Sequence, residues 1–157
     1  MTIKLIAIGK TDNKQLTLLI DDYIKRLNFY IKFNLEVIPD IKNSKHLSEE
    51  EQKKKEGTLI LSKINTTDAL VLLDENGKMH DSVAFSNYLQ KHMNSGIKQV
   101  VFVIGGPYGF SEEVYKTANG KISLSKMTFS HQMIRLFFIE QLYRGFTILR
   151  NEPYHHR

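Results

Sequence analysis

Two kinds of segment in this chain carry residue types that could do chemistry. The first is a set of loops: Leu73-Asp74-Glu75-Asn76-Gly77, Gly105-Gly106-Pro107-Tyr108-Gly109-Phe110 and Leu124-Ser125-Lys126-Met127-Thr128-Phe129. The glycine loop offers backbone N–H groups and close approach without side-chain bulk, which invites a nucleotide ligand. The second is the C-terminal run Asn151-Glu152-Pro153-Tyr154-His155-His156-Arg157. Its aromatic, proton-accepting and basic side chains suit stacking a base and moving a proton. From spacing alone, the glycine loop reads equally as a tight turn, and a terminal Tyr-His-His-Arg reads by default as frayed chain.

Several chemistries are disfavoured. There are no cysteines among the 157 residues, so disulfides, thiolate metal sites and a Cys nucleophile are out. The glycine loop is not G-x-G-x-x-G, no G-x-x-x-x-G-K-[ST] occurs, and no G-x-S-x-G elbow is present. His46, His80, His92 and His131 are scattered without metal-ligand spacing. Lys and Arg exceed Asp and Glu by 22 to 17, a net charge of +5. That surplus favours a polyanionic partner such as nucleic acid, although many small proteins carry as much and bind nothing anionic. No apolar run approaches the roughly 20 residues that span a bilayer. Met1 to Lys10 reads as a strand without the features of a signal peptide, so the expectation is a soluble cytoplasmic protein.

The elements that must position these loops alternate along the chain. Thr2–Gly9 is an apolar, β-rich strand. Leu16, Leu19, Ile20, Tyr23, Ile24 and Leu27 then share one face of a helix. Phe33–Pro39 is a second strand. Ser48 with Glu51 forms a capping box, and Glu49/Lys53, Glu50/Lys54 and Glu51/Lys55 predict i, i+4 pairs on a solvated face. Gly57 weakens this helix and predicts a local break; beyond it Leu59, Ile60 and Ile64 are expected to be buried. Asp68–Glu75 is a third strand, closed by Asn76-Gly77. Asp81 or Ser82 caps a helix with Phe85, Tyr88, Leu89 and His92 on one face, His92 reading as a core-edge histidine. Lys98–Gly105 is a fourth strand covered on both faces. Ser111 caps a short helix, Ile122–Leu124 is a fifth strand, and Ser130–Arg144 is a helix apolar on nearly every side. A helix of that kind must be covered all round, and a partner subunit is an economical cover. The alternation predicts one α/β domain over residues 1–157, with a mostly parallel sheet and helices on both faces. Ligands in such sheets bind beyond the carboxyl ends of the strands, where the three loops lie.

Taken together, the segments KLIAIGK, VLLDENGK, VFVIGGPYGF and ISLSKMTFSHQMIRLFFIEQLYRGFTILRNEPYH resemble the ribosomal RNA large-subunit methyltransferase H family. The resemblance covers essentially the whole chain. It implies a minimal SPOUT fold whose C-terminal segment threads a trefoil knot, working as a homodimer. It also implies transfer of a methyl group from S-adenosylmethionine to N3 of a pseudouridine in 23S rRNA. The absence of a separate RNA-binding domain suggests recognition of an assembled 70S ribosome. On this resemblance Leu73, Gly105, Leu124, Ser125, Lys126, Met127, Thr128 and Phe129 match the donor-binding positions. Tyr154 and His155 inherit the substrate role, Tyr154 stacking or hydrogen-bonding the base and His155 accepting or orienting its proton. Arg144 would hold a phosphate or the developing negative charge. The tail of one subunit would meet the donor loops of the other. The family's tail often has one histidine before a basic residue; here His156 intervenes before Arg157, and His155 is favoured because it directly follows Tyr154. Other readings are a non-catalytic RNA-binding protein on the same fold, and a small-molecule enzyme cradling phosphate at Gly105–Gly109.

Overall fold

Apolar residues alternate along the strands and recur every three or four positions on the helices, so the chain folds as a sheet between helical layers. In the computed structural model, which describes residues 1–156, the order begins β1 (Thr2–Ile8), α1 (Lys14–Leu27), β2 (Lys32–Ile38), a 3₁₀ turn (Ser44–His46) and α2 (Glu49–Leu61). It continues β3 (Ala69–Met79), α3 (Ser82–Asn94), β4 (Gln99–Ile104), α4 (Glu112–Thr117), β5 (Gly120–Ser123) and α5 (Met133–Leu149). Arg157, the basic end of the tail, lies outside the described residues. The five strands are ordered β2-β1-β4-β3-β5, and every pairing is parallel. The expected α/β class is the one that forms. No described helix is long and apolar enough to cross a membrane.

Strand alternation deals residues to the two faces. Ile3, Leu5, Val71, Val100 and Phe102 join α1, α3 and α5 in the larger core cluster. Ile6, Leu70, Leu72, Val101 and Val103 meet Ile60 of α2 and Val114 of α4 on the other face. The central strand β4 is buried from Val100 to Ile104, as its β-branched and aromatic run predicts. Phe102 meets Phe138 of α5 edge-on, with centroids 4.9 Å apart. Burial of each such ring contributes roughly 1.5–3 kcal/mol. Asn13, Ser48, Asp81 and Ser111 accept hydrogen bonds from Leu16, Glu51, Ala84 and Val114, capping the helices they precede.

The structure departs from the sequence reading at several places. Gly57 does not break α2, which runs through it. A Cβ at Gly57 would lie 2.5 Å from the Ser111 hydroxyl, so close packing against the start of α4 selects the glycine. The i, i+4 pairs on this helix do not form among the described ion pairs; Glu50 bonds Lys53 at 2.7 Å instead. Leu19, at the edge of the α1 stripe, is 49% exposed, and Leu59 of α2 is 37% exposed rather than buried. Asn76-Gly77 does not end β3, which continues to Met79. The pairing with β5 slips there: Leu73 and Lys78 both face Ile122, so residues 74–77 bulge outward.

The last helix differs most. It starts at Met133 and ends at Leu149, five residues beyond the predicted Arg144. α5 runs through Gly145, where the lack of a side chain makes room for Leu89 of α3, 2.9 Å from where a Cβ would sit. The stop comes at Asn151, whose left-handed backbone (φ 55°) lets its N–H reach Ile148 and that of Glu152 reach Thr147. These two bonds make a Schellman ending. One face of α5 is buried, while Met133 and Phe137 are 40% and 39% exposed.

Candidate active site

The carboxyl ends of β4 and β5 and the bulge of β3 open onto a cleft of about 420 Å³. Its walls include Leu73, Gly105, Leu124, Ser125, Met127, Thr128 and Phe129, with the backbone of Gly106–Gly109 between them. Seven of the eight donor positions expected from the resemblance are thus gathered. The eighth, Lys126, is exposed and outside the lining.

Local chemistry shapes each loop. Gly109 accepts the turn with φ +83° and donates its N–H to the Gly106 carbonyl at 3.2 Å. Gly106 has its own constraint, because a Cβ there would lie 2.5 Å from the Glu56 carboxyl on α2. In the loop after β5, the Ser123 hydroxyl donates to the Ser125 carbonyl, and the Ser125 hydroxyl accepts from Met127 N–H at 2.9 Å. Behind that loop stands Arg135, 1% exposed. Its guanidinium donates to the His131 carbonyl, to Thr11 and to the Ile8 carbonyl at 2.8 Å. At the opposite wall the Tyr115 phenol donates to Asp74. Burial and that bond push Tyr115 up to about 12.

A second cleft of about 540 Å³ adjoins the first and shares Ser123, Leu124, Ser125 and Phe129 with it. His155 lines this second cleft, together with His80, Phe137, Glu140 and Gln141. Burial pulls His80 below the usual imidazole range.

Arg144 and Tyr154 line neither cleft, but they hold His155 through a bonded network. Glu140 Oε1 accepts from Arg144 Nη2 at 2.8 Å, from its Nε at 3.2 Å and from the Tyr154 hydroxyl at 3.0 Å. Tyr154 therefore donates to Glu140 and accepts from Tyr23, 3.1 Å away. Burial first, then the bonds to Tyr23 and Glu140, raise the Tyr154 phenol well above its ordinary value, so it stays protonated. Arg144 Nη1 lies 3.2 Å from His155 Nδ1. A guanidinium only donates, so that nitrogen of His155 accepts. The Arg144 charge also sits over the Tyr154 ring, 4.7 Å from its centroid.

Sequence reasoning did not single out Glu140, the hub of this network. Its i, i+4 spacing to Arg144 was the available signal; its link to Tyr154 was not legible. Arg135, Tyr23 and Glu56 were also missed, each defined by contacts more than 45 residues away in sequence or by burial alone.

Residues 1–155 match a family model described as a predicted SPOUT methyltransferase. Proteins of Flavobacterium johnsoniae and Flavobacterium psychrophilum, each called ribosomal RNA large subunit methyltransferase H, are 76% and 77% identical over 157 residues, the whole of both chains. The solved SpoU methyltransferase AviRb from Streptomyces viridochromogenes, in complex with AdoMet, aligns with a TM-score of 0.44 and 9% identity over 96% of this chain and 61% of that one. With its whole length matched at such identity, the chain belongs to the ribosomal RNA large subunit methyltransferase H family of SPOUT methyltransferases.

Proposed function

We propose that the chain is an S-adenosylmethionine-dependent methyltransferase acting on 23S rRNA in the cytoplasm, at N3 of a pseudouridine in the assembled 70S ribosome. The observation that carries this reading is the adjacency of the two clefts, one walled by the donor-type loops and the other by His155. The donor fits the first cleft. Its volume of about 420 Å³ falls in the range of small-molecule pockets. Leu73, Leu124 and Phe129 supply apolar walls for a purine, and the Gly105–Gly109 backbone permits close approach.

When bound, S-adenosylmethionine supplies a methyl group on a positively charged sulfur, which a ring nitrogen that has lost its proton can take. The chain's own residues orient the acceptor. With Nδ1 accepting from Arg144, the neutral His155 ring carries its proton on Nε2. That N–H donates to a carbonyl flanking N3, where negative charge gathers as the imide proton leaves to water. Arg144 fixes the tautomer and brings positive charge near the same oxygens, while Glu140 and Tyr154 fix Arg144. Lys126, exposed at the cleft rim, meets the RNA backbone. Positioning of this kind can supply several kcal/mol of the barrier.

The reading includes a homodimer. Phe129 and Phe137 of α5 stand with ring centroids 5.2 Å apart, partly exposed at the edge of the second cleft, where a second copy covers them. It also includes one domain with a knotted C-terminal segment. In support, Gln132 and Arg135 reach back to Asp12, Thr11 and the end of β1.

The test is methyl transfer from labelled S-adenosylmethionine to ribosomes lacking the modification, to free large subunits and to extracted RNA, with the product located by mass spectrometry. Label on one pseudouridine of intact ribosomes alone is the expected result. No label on any substrate, with donor binding intact, would overturn the assigned acceptor.

A further inference from the structure

Glu56 of α2 is 3% exposed, yet it has almost no partners. Its Oε2 accepts from Gln52 one turn back at 3.2 Å, and its Oε1 has no hydrogen bond. Both oxygens press on the glycine loop: a Cβ at Gly106 would lie 2.5 Å from Oε1 and 2.6 Å from Oε2. Gly106 lines the donor cleft, so the carboxyl supports the cleft wall from behind.

The charges around Glu56 do not favour a buried anion. Asp40, which follows β2, is the acid that bears on it. The buried cation nearest to Asp40 in effect, Arg135 of α5, is bonded instead to Ile8, Thr11 and His131. An apolar side chain of equal volume would fill this space at lower cost than a half-satisfied carboxyl. Stability alone therefore does not account for an acid here.

We propose that Glu56 is a positioning residue for the methyl-donor loop, setting the path of Gly105–Gly109 and through it the affinity for S-adenosylmethionine. The inference rests on the reading of that loop as the donor site. Burial first, then Asp40, pushes the Glu56 carboxyl above its ordinary value, so the neutral acid is the form that fits beneath Gly106. Ionisation places an unpaired charge there, draws water in and loosens the loop.

The experiment is isothermal titration of S-adenosylmethionine into the full chain, its Glu56→Gln and its Glu56→Ala variants, from the ordinary carboxylate range up to pH 8. The wild type should lose affinity by about tenfold as Glu56 ionises. Glu56→Gln, neutral and of the same shape, should match the low-pH wild type and hold that affinity throughout. Glu56→Ala should bind roughly fivefold more weakly at every pH. Wild-type pH dependence persisting in Glu56→Gln, or wild-type binding by both variants, overturns the inference alone. No binding by the wild type at any pH overturns the donor reading and the inference with it. A second readout needs neither variant nor ligand. Amide exchange at Tyr108–Phe110 of the wild type, corrected for intrinsic rates, should speed up with pH relative to β4; an unchanged ratio also overturns the inference.

Discussion

Nδ1 of His155 accepts a hydrogen bond from Nη1 of Arg144 across 3.2 Å, which ties the tautomer of one side chain to the presence of the other. His155→Ala should lower single-turnover methyl transfer by about 10²-fold, as a small misplacement at a reacting centre does. Arg144→Lys should behave similarly, since an ammonium cannot bond Glu140 and His155 with one planar fork. Donor affinity should stay within about twofold in both, because neither residue touches the donor cleft. Rapid-quench methylation and isothermal titration check the pair; full activity in Arg144→Lys would remove the tautomer from the mechanism.

Tyr154→Phe deletes a hydroxyl that both donates to Glu140 and accepts from Tyr23. Turnover should fall by about tenfold with donor affinity unchanged, because Arg144 then loses one of the groups fixing its carboxylate partner. Tyr23→Phe should show a smaller loss in the same direction. A double variant no worse than Tyr154→Phe is the expected outcome, since one chain of bonds carries both effects.

Gly57→Ala should lower stability by about 1–3 kcal/mol, the opposite of the gain that an exposed helical position would show. The added carbon would meet the Ser111 hydroxyl, which is occupied in capping α4 through Val114 N–H. Chemical denaturation decides the sign, and an increase in the midpoint would mean that α4 yields easily.

Alkaline pH should destabilise the fold through its phenols. Tyr30, bonded to Glu152, and the half-buried Tyr88 are each pushed up to about 12 from 10. A raised phenol binds its proton more tightly in the folded state. Its contribution is therefore complete below pH 10 and is lost as pH climbs toward about 12. The thermal midpoint should drop over that window, and Tyr88→Phe should flatten the drop.

Phe137→Glu should leave the protein monomeric by light scattering. It should also abolish methylation, if the partly exposed α5 face at the edge of the second cleft is where a second copy sits. A dimer unchanged by this substitution would place the interface elsewhere.

The strands, and the gathering of their loops around one cleft, were legible because the relevant signals are local. Val100–Ile104 of β4 is an uninterrupted apolar run, Leu73 sits in β3 just before its bulge, and Gly105 and the 124–129 segment directly follow β4 and β5, so the parallel sheet brings them together. Where local signals competed with tertiary contacts, tertiary contacts won. Gly145 and Gly57 resemble helix breaks but are small because Leu89 and Ser111 press on them. Asn76-Gly77 resembles a hairpin turn but lies in a bulge, since Gly77 passes against the backbone of Ile122 at 2.5 Å from its absent Cβ. The true stop of α5 carried a local signal, Asn151 followed two residues later by Pro153, that the expected end at Arg144 passed over. The tail network was not legible, because Tyr23 and Tyr154 are 131 residues apart.

Asn151 does more than end a helix. Its left-handed backbone is the fixed post from which the rest of the tail hangs, and His155 is the fourth residue beyond it. A fully stretched chain of that length spans about 14 Å. The Cα of His155 therefore stays inside that radius of the end of α5, and a base it serves comes within one side-chain length more. The Schellman ending acts as the anchor of a tether, and the distance it allows limits where the tail's histidine can work.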